Sequence, residues 1–262
     1  MGEKQTFVTD AEDNLFEQRI RQWEKDEAAP FEGWNFSYLD GRWEEEQVNL
    51  GYEDRAKELL ATASSGLDIG TGGGERLLLM QPLPGDMQAV EFWPPNFAVA
   101  KERLEPLGIQ VHSADSEKPL QLGGASFDVI INRQASFISS DVARLLKENG
   151  VFITQQVSGD NLADLAAEFG GQVPFPEWQF KKVRESLIQA GLKIERAEEW
   201  VGHMFFKDVG ALVYFLKNVP WVVPNFSVKK FRQILIRLQE KLDRGEKLVY
   251  TQKRFLIEAS KK

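Results

Sequence analysis

One stretch limits the folds open to this chain: Leu67-Asp68-Ile69-Gly70-Thr71-Gly72-Gly73-Gly74-Glu75. A short apolar run carries an acid, glycines stand at 70, 72 and 74, and Arg76-Leu77-Leu78-Leu79-Met80 reads as the start of a helix. A buried strand that breaks into a glycine turn and re-enters as a helix is a nucleotide-binding device. Glycine permits tight left-handed turns and lets a ligand lie against bare main chain. The helix start presents unpaired N–H groups that suit an anionic or carboxylate group. A dinucleotide fingerprint, G-x-G-x-x-G, would need glycine at 75, where Glu75 stands, which disfavours a nicotinamide enzyme. A phosphate loop would need a lysine after the glycines, and none follows. The plain alternative is a glycine turn that binds nothing.

The rest of the chain reads as alternating helices and strands. Residues 10–29 place Phe16, Ile20 and Trp23 on one helical face, a peripheral helix or a lid. The aromatic segment Pro30 to Trp43 shows no period. Its rings are either core plugs or pocket walls. A helix from Glu53 to Ala63 precedes the glycine motif. Asp86 to Glu91 is a second strand, Pro94-Pro95 opens a helix, and Ile109 to His112 is a third strand. Ser126 to Asn132 is an apolar strand of the parallel-sheet kind, Ile138 to Lys147 a helix, and Val151 to Thr154 a fifth strand. Helices over 162–169 and 176–188 and a strand over 192–201 follow. Residues 209–216 fit helix or strand, with helix preferred. Ser227 caps a helix through Leu242, and 247–259 make a last strand. This alternation predicts a doubly wound α/β sheet with right-handed crossovers. Two parts are expected: residues 1–51, an N-terminal helix and aromatic loop on the acceptor side, and 52–262, the main domain with a helical insertion near 202–246.

Composition closes off some chemistry. The chain has no cysteine and only His112 and His203, so no disulfide or thiolate site can form and no metal is expected. Met1-Gly2-Glu3-Lys4-Gln5 lacks an apolar signal region, and no apolar run approaches the roughly 18–20 residues of a membrane span. A cytoplasmic protein is expected, monomer or homodimer. Net charge is −8, but residues 1–65 carry a net −9 and residues 227–262 a net +7. A basic tail reads as a nucleic-acid footprint or as a solvated amphipathic helix.

Residues 64–155 resemble the donor-binding core of the class I S-adenosylmethionine-dependent methyltransferases, on Asp68, the glycines, Glu91, Asp115 and Asn132 in that order. Trp34-Asn35-Phe36-Ser37-Tyr38, Pro94-Pro95-Asn96, Asn132-Arg133 and Asp208-Val209-Gly210-Ala211-Leu212 are similar to bacterial proteins with this domain. The resemblance implies a seven-stranded, mostly parallel Rossmann-like sheet with an N-terminal helical lid and a late helical insertion. It implies S-adenosyl-L-methionine as cofactor, held by Asp68, Gly70, Thr71, Gly72, Gly74, Glu91, Phe92, Asp115, Ser116, Asn132 and Arg133. Glu91 would take both ribose hydroxyls and Asp115 the adenine amino group. Trp34, Phe36, Tyr38 and His203 would line the acceptor side, with Trp178 and Trp200 near it. His203 and Arg133 are the candidates for a catalytic role, each balanced by a surface or ion-paired reading; His112 reads as structural. A small-molecule acceptor is expected. The alternatives are an RNA methyltransferase using the basic C-terminal segment, loosely similar to the ribosomal-RNA guanine methyltransferases but without their cysteine zinc module, and a non-catalytic S-adenosylmethionine-binding protein.

Overall fold

A computed structural model describes residues 10–31 and 35–262, with side chains from Leu15 onward. Along the chain the elements are α1 (Asp10–Ala28), β1 (Trp43–Glu45), α2 (Tyr52–Thr62), β2 (Ser65–Ile69), α3 (Glu75–Leu78), β3 (Asp86–Glu91), α4 (Pro94–Leu104) and β4 (Gln110–Ser113). Then come β5 (Phe127–Arg133), α5 (Ser139–Leu145), β6 (Leu146–Val157), α6 (Ala163–Glu168), α7 (Phe180–Gln189), β7 (Leu192–Phe206), α8 (Val209–Asn218), α9 (Val228–Asp243) and β8 (Leu248–Lys261). The strand order is β1-β7-β8-β6-β5-β2-β3-β4. Strands β4, β3, β2, β5 and β6 pair in parallel, and β8 runs antiparallel to β6. The α/β fold expected from the sequence is therefore present, with eight strands where seven were expected. The additional strand is β1, whose Trp43, Glu44 and Glu45 pair with Phe206, Phe205 and Met204. Three residues are too few for a period to show.

The chain forms two compact units. One comprises Val48–Gly159, Phe175–Trp200 and Lys253–Lys262. Its strands bury both faces, because successive side chains point to opposite sides. Ile130, Phe152 and Phe255 enter one core cluster, while Ile131, Ile153 and Leu256 enter the other. Near-continuous apolar runs are what a parallel sheet covered on both faces requires. The helix after the glycine motif is shorter than expected: α3 is a single turn, and Leu79 beyond it is 77% exposed. Strand β6 begins earlier than expected, at Leu146, because the left-handed Asn149 (φ 62°) and the register break after Phe127 let the chain keep pairing with β5.

The other unit comprises Met1–Gln47, Asp160–Pro174 and Val201–Gln252 in its described residues. Residues 209–218 are a helix: the Asp208 carboxylate accepts from the Ala211 N–H at 2.8 Å, which caps α8. Every residue from Val209 to Leu216 is buried, as an all-round apolar helix demands. The Ser227 hydroxyl caps α9 by accepting from the Lys230 N–H. Ion pairs tie α9 to α1 and to α6. Arg19 of α1 pairs with Asp243 of α9, Arg232 of α9 with Glu17 of α1, and Lys241 with Glu168. Asp26, fully buried, accepts from the Tyr38 hydroxyl and the Arg42 guanidinium, which also holds Asp208. Among the described residues no helix is long and apolar enough to cross a membrane.

Candidate functional site

The glycine motif sits at the carboxyl ends of the parallel strands, where open α/β sheets bind ligands. The Gly70 and Thr71 N–H groups both donate to the Val90 carbonyl, which ties the turn to β3. Gly70 has φ 78°, and a Cβ built there would lie 2.2 Å from the Ala135 Cβ, so no side chain fits. Gly72 differs. Its φ is 63°, yet a Cβ there would meet nothing within 4 Å, so its backbone faces open space.

Glu91 closes β3 beside this turn. Its carboxylate is buried and accepts from the Gly72 N–H at 2.7 Å, the Trp93 N–H at 2.9 Å and the Phe92 N–H at 3.0 Å. Three N–H donors fix its carboxylate at the motif. Asp68 lies one strand over, paired in register with Ala89 and Ile131. Burial pushes its carboxyl up to about 7; nearby Thr71 pulls it down and the Glu91 charge pushes it up. The Thr71 hydroxyl is close enough to act on Asp68 but forms no proper hydrogen bond, and its buried oxygen is left without a partner.

Asn132 is fully buried at the end of β5 and spends all its polar capacity on the fold. Its amide donates to the Ile69 and Ala135 carbonyls, and its oxygen accepts from Thr154 and Gln156. Arg133, the next residue, is half-buried, and its Nε has no partner. Burial and the Arg76 charge lower the pKa of its guanidinium. Tyr52, at the start of α2, is buried within electrostatic reach of both Asp68 and Arg133. The only sequence signal of Tyr52 is an aromatic residue directly after Gly51, where α2 begins.

Phe92, Ser116 and Lys118 line one cavity with Ile69, Leu120 and Phe137. Its volume is only about 10 Å³, room for a single water. Asp115 does not face this cavity. It is half-exposed, accepts from the Glu117 N–H at 3.0 Å and pairs with Lys118 at 2.8 Å, which holds its carboxyl below the usual range. His112 bonds Gln88 across two strands, and burial holds its pKa low.

The residues expected on the acceptor side have other neighbours within their units. Trp34 lies outside the described residues. Phe36 packs against Phe31, Trp43 and Phe215. Tyr38 stacks on Tyr214 at 4.4 Å between ring centres. His203 is exposed on β7, with its Nδ1 3.3 Å from Glu46. Trp178 packs edge-on against Phe137, and Trp200 packs against the cluster that includes Leu60 and Leu104. Among the described residues no group of three or more histidines and acids is placed to hold a metal.

Residues 67–153, from β2 into β6, match the family model described as a methyltransferase domain. No curated protein matches the chain. Among solved structures, YcgJ of Bacillus subtilis superposes with a TM-score of 0.57 at 17% identity, over 82% of this chain and 99% of that one. BH2331 of Bacillus halodurans C-125, a proposed methyltransferase, matches with a TM-score of 0.55 at 16% identity, over 80% and 98%. The cyclase SpnF matches with a TM-score of 0.50 at 14% identity, over 95% and 94%. Likeness at such identity speaks for the fold.

Proposed function

We propose that this chain, whose residues 67–153 match a methyltransferase domain, is a class I S-adenosylmethionine-dependent methyltransferase that moves the donor's methyl group to a small-molecule acceptor. The observation that carries the donor reading is the set of groups at the ends of β2, β3 and β5. Two buried polar atoms there, Thr71 Oγ1 and Arg133 Nε, lack partners, and Gly72 exposes bare backbone beside the Glu91 carboxylate. Buried polar groups are almost always satisfied, so orphans at one site ask for a ligand.

The residues fit S-adenosyl-L-methionine group by group. Glu91 holds an anchored carboxylate for the ribose hydroxyls. Asp68 suits the ammonium of the methionine end and Arg133 its carboxylate, with Tyr52 within electrostatic reach of both. Gly70, Thr71, Gly72 and Gly74 supply the backbone turn, and Asn132 fixes the β5 end through its saturated bonds. Phe92, Ser116 and Asp115 belong to the adenine. That side fits only once the cavity widens, and the limb best able to yield is Asp115–Lys118, whose bonds are local and exposed. When bound, the donor supplies an electrophilic methyl carbon on its sulfonium. The protein's part is to hold donor and acceptor in line at attack distance. Of the two residues considered for a catalytic role, His203 is engaged with Glu46 and Arg133 is assigned to the donor's carboxylate.

A small-molecule acceptor is supported by charge. The chain is net −8, and Arg232 and Lys241 of the basic C-terminal segment are ion-paired with Glu17 and Glu168. A net-acidic chain disfavours a polyanionic acceptor. The test is transfer from methyl-labelled S-adenosylmethionine to fractionated cell extract. Label in the acid-soluble, low-mass fraction is expected. Label in RNA, or donor binding without transfer to any fraction, would overturn the acceptor reading.

A further inference from the structure

Between β4 and β5 the chain runs through residues 114–126 without helix or strand. Long irregular connections in compact domains are usually functional or disordered, and this one is neither loose nor held by packing alone. Two side chains of α5 grip its middle. The buried Asp141 accepts from the Leu120 N–H at 2.7 Å through Oδ2. Arg144 donates its Nε to Asp141 Oδ1 at 2.8 Å, its Nη1 to the Leu122 carbonyl at 2.7 Å and its Nη2 to the Leu120 carbonyl at 2.8 Å. The planar fork thus satisfies backbone groups on both sides of Gln121 at once, which a lysine's single point charge cannot do. Helix α5 is itself anchored, with Val142 and Leu145 in the core. Its rigidity passes to Leu120–Leu122, while Asp115–Lys118 depends on its own local bonds.

Asp141 and Leu120 line the same cavity as Phe92 and Ser116. The gripped limb is therefore a fixed wall of the space assigned above to the donor's base. We infer that Asp141 and Arg144 are positioning residues: they fix the 120–122 limb so that the 115–116 limb meets the adenine edge in one register. This rests on the donor reading under Proposed function. Without the grip the loop still connects β4 to β5, but its adenine-reading groups lose their reference point. The expected consequence is a loss of base discrimination more than a loss of fold.

The test compares S-adenosylhomocysteine with S-inosylhomocysteine, which carries a carbonyl where adenine carries its amino group. Dissociation constants are measured by calorimetry for the wild type, Arg144→Lys, Arg144→Ala and Asp141→Asn, with circular dichroism checking the fold of each. The wild type should prefer the adenine compound by at least about ten-fold, as a site built to pair a polar edge does. The variants should lose most of that preference through weaker adenine binding, with S-inosylhomocysteine affinity changing by less than about three-fold. Arg144→Lys and Asp141→Asn keep the volume, so they carry the comparison if Arg144→Ala does not fold. An unchanged preference in a folded variant overturns the positioning role alone. Failure of the wild type to bind either compound overturns the donor reading and the positioning role with it.

Discussion

Asp68→Asn should separate the cost of a buried acid from its use. In the folded chain, burial lifts the Asp68 carboxyl from 3.8 to about 7. The folded pKa lies above the unfolded one, so the native state binds the extra proton between about pH 4 and pH 7. The stabilising contribution is complete below the unfolded value and is lost as pH rises through 7. The difference corresponds to about 4 kcal/mol across the whole range, and to about 2 kcal/mol between pH 5.5 and 7. Asparagine cannot titrate, and the partnerless Thr71 oxygen is available to accept from its amide. The melting temperature of the variant relative to the wild type should therefore climb by about 4 °C over that interval. Donor binding should move the other way. An ammonium beside Asp68 favours its charged form, so the wild type should release a proton on binding S-adenosylhomocysteine near neutral pH, and the variant should bind about 10- to 100-fold more weakly. Thermal melts across pH, with calorimetry in buffers of different ionisation heat, measure both. Parallel melting curves for the two proteins, or undiminished affinity in the variant, would refute the reasoning.

Gly72→Ala meets no atom within 4 Å, so it should cost only the roughly 1 kcal/mol of a left-handed alanine yet abolish detectable S-adenosylhomocysteine binding; Gly70→Ala, driven against Ala135, should lower stability and binding together, and paired melts and titrations tell the two apart. Lys118→Ala frees the Asp115 carboxylate and loosens the outer limb, so donor affinity should rise about two- to five-fold in calorimetry at low salt. Gly210→Ala places a Cβ 2.1 Å from Asp26 Oδ2 and should destabilise the chain by about 1–3 kcal/mol in urea unfolding.

Much of the fold was legible because its signals are local. The apolar run at Val129–Ile131, the Pro94-Pro95 helix start and the Ser227 cap each announce an element within a few residues. Long-range pairing announced nothing. Strand β1 exists because Trp43 meets Phe206, and α3 stops after one turn although Met80 beyond it is buried. The interleaving of 160–174 and 201–252 into one unit is likewise a matter of packing. At the candidate site, Asp68 and the glycines stand out by their spacing, and Glu91 enters through the resemblance to the methyltransferase core. Tyr52, Asp141 and Arg144 were not legible, since each acts through neighbours far along the chain. The opposite net charges of residues 1–65 and 227–262 were visible as numbers, but which side chains pair, such as Arg232 with Glu17, is set by the packing of α1 against α9.

The account rests on donor binding at the glycine turn, and titration calorimetry of the purified chain with S-adenosylhomocysteine tests it most directly. It predicts one site per chain with a dissociation constant below about 100 μM, a release of roughly 5.5 kcal/mol or more. Absence of binding at millimolar concentration would contradict it.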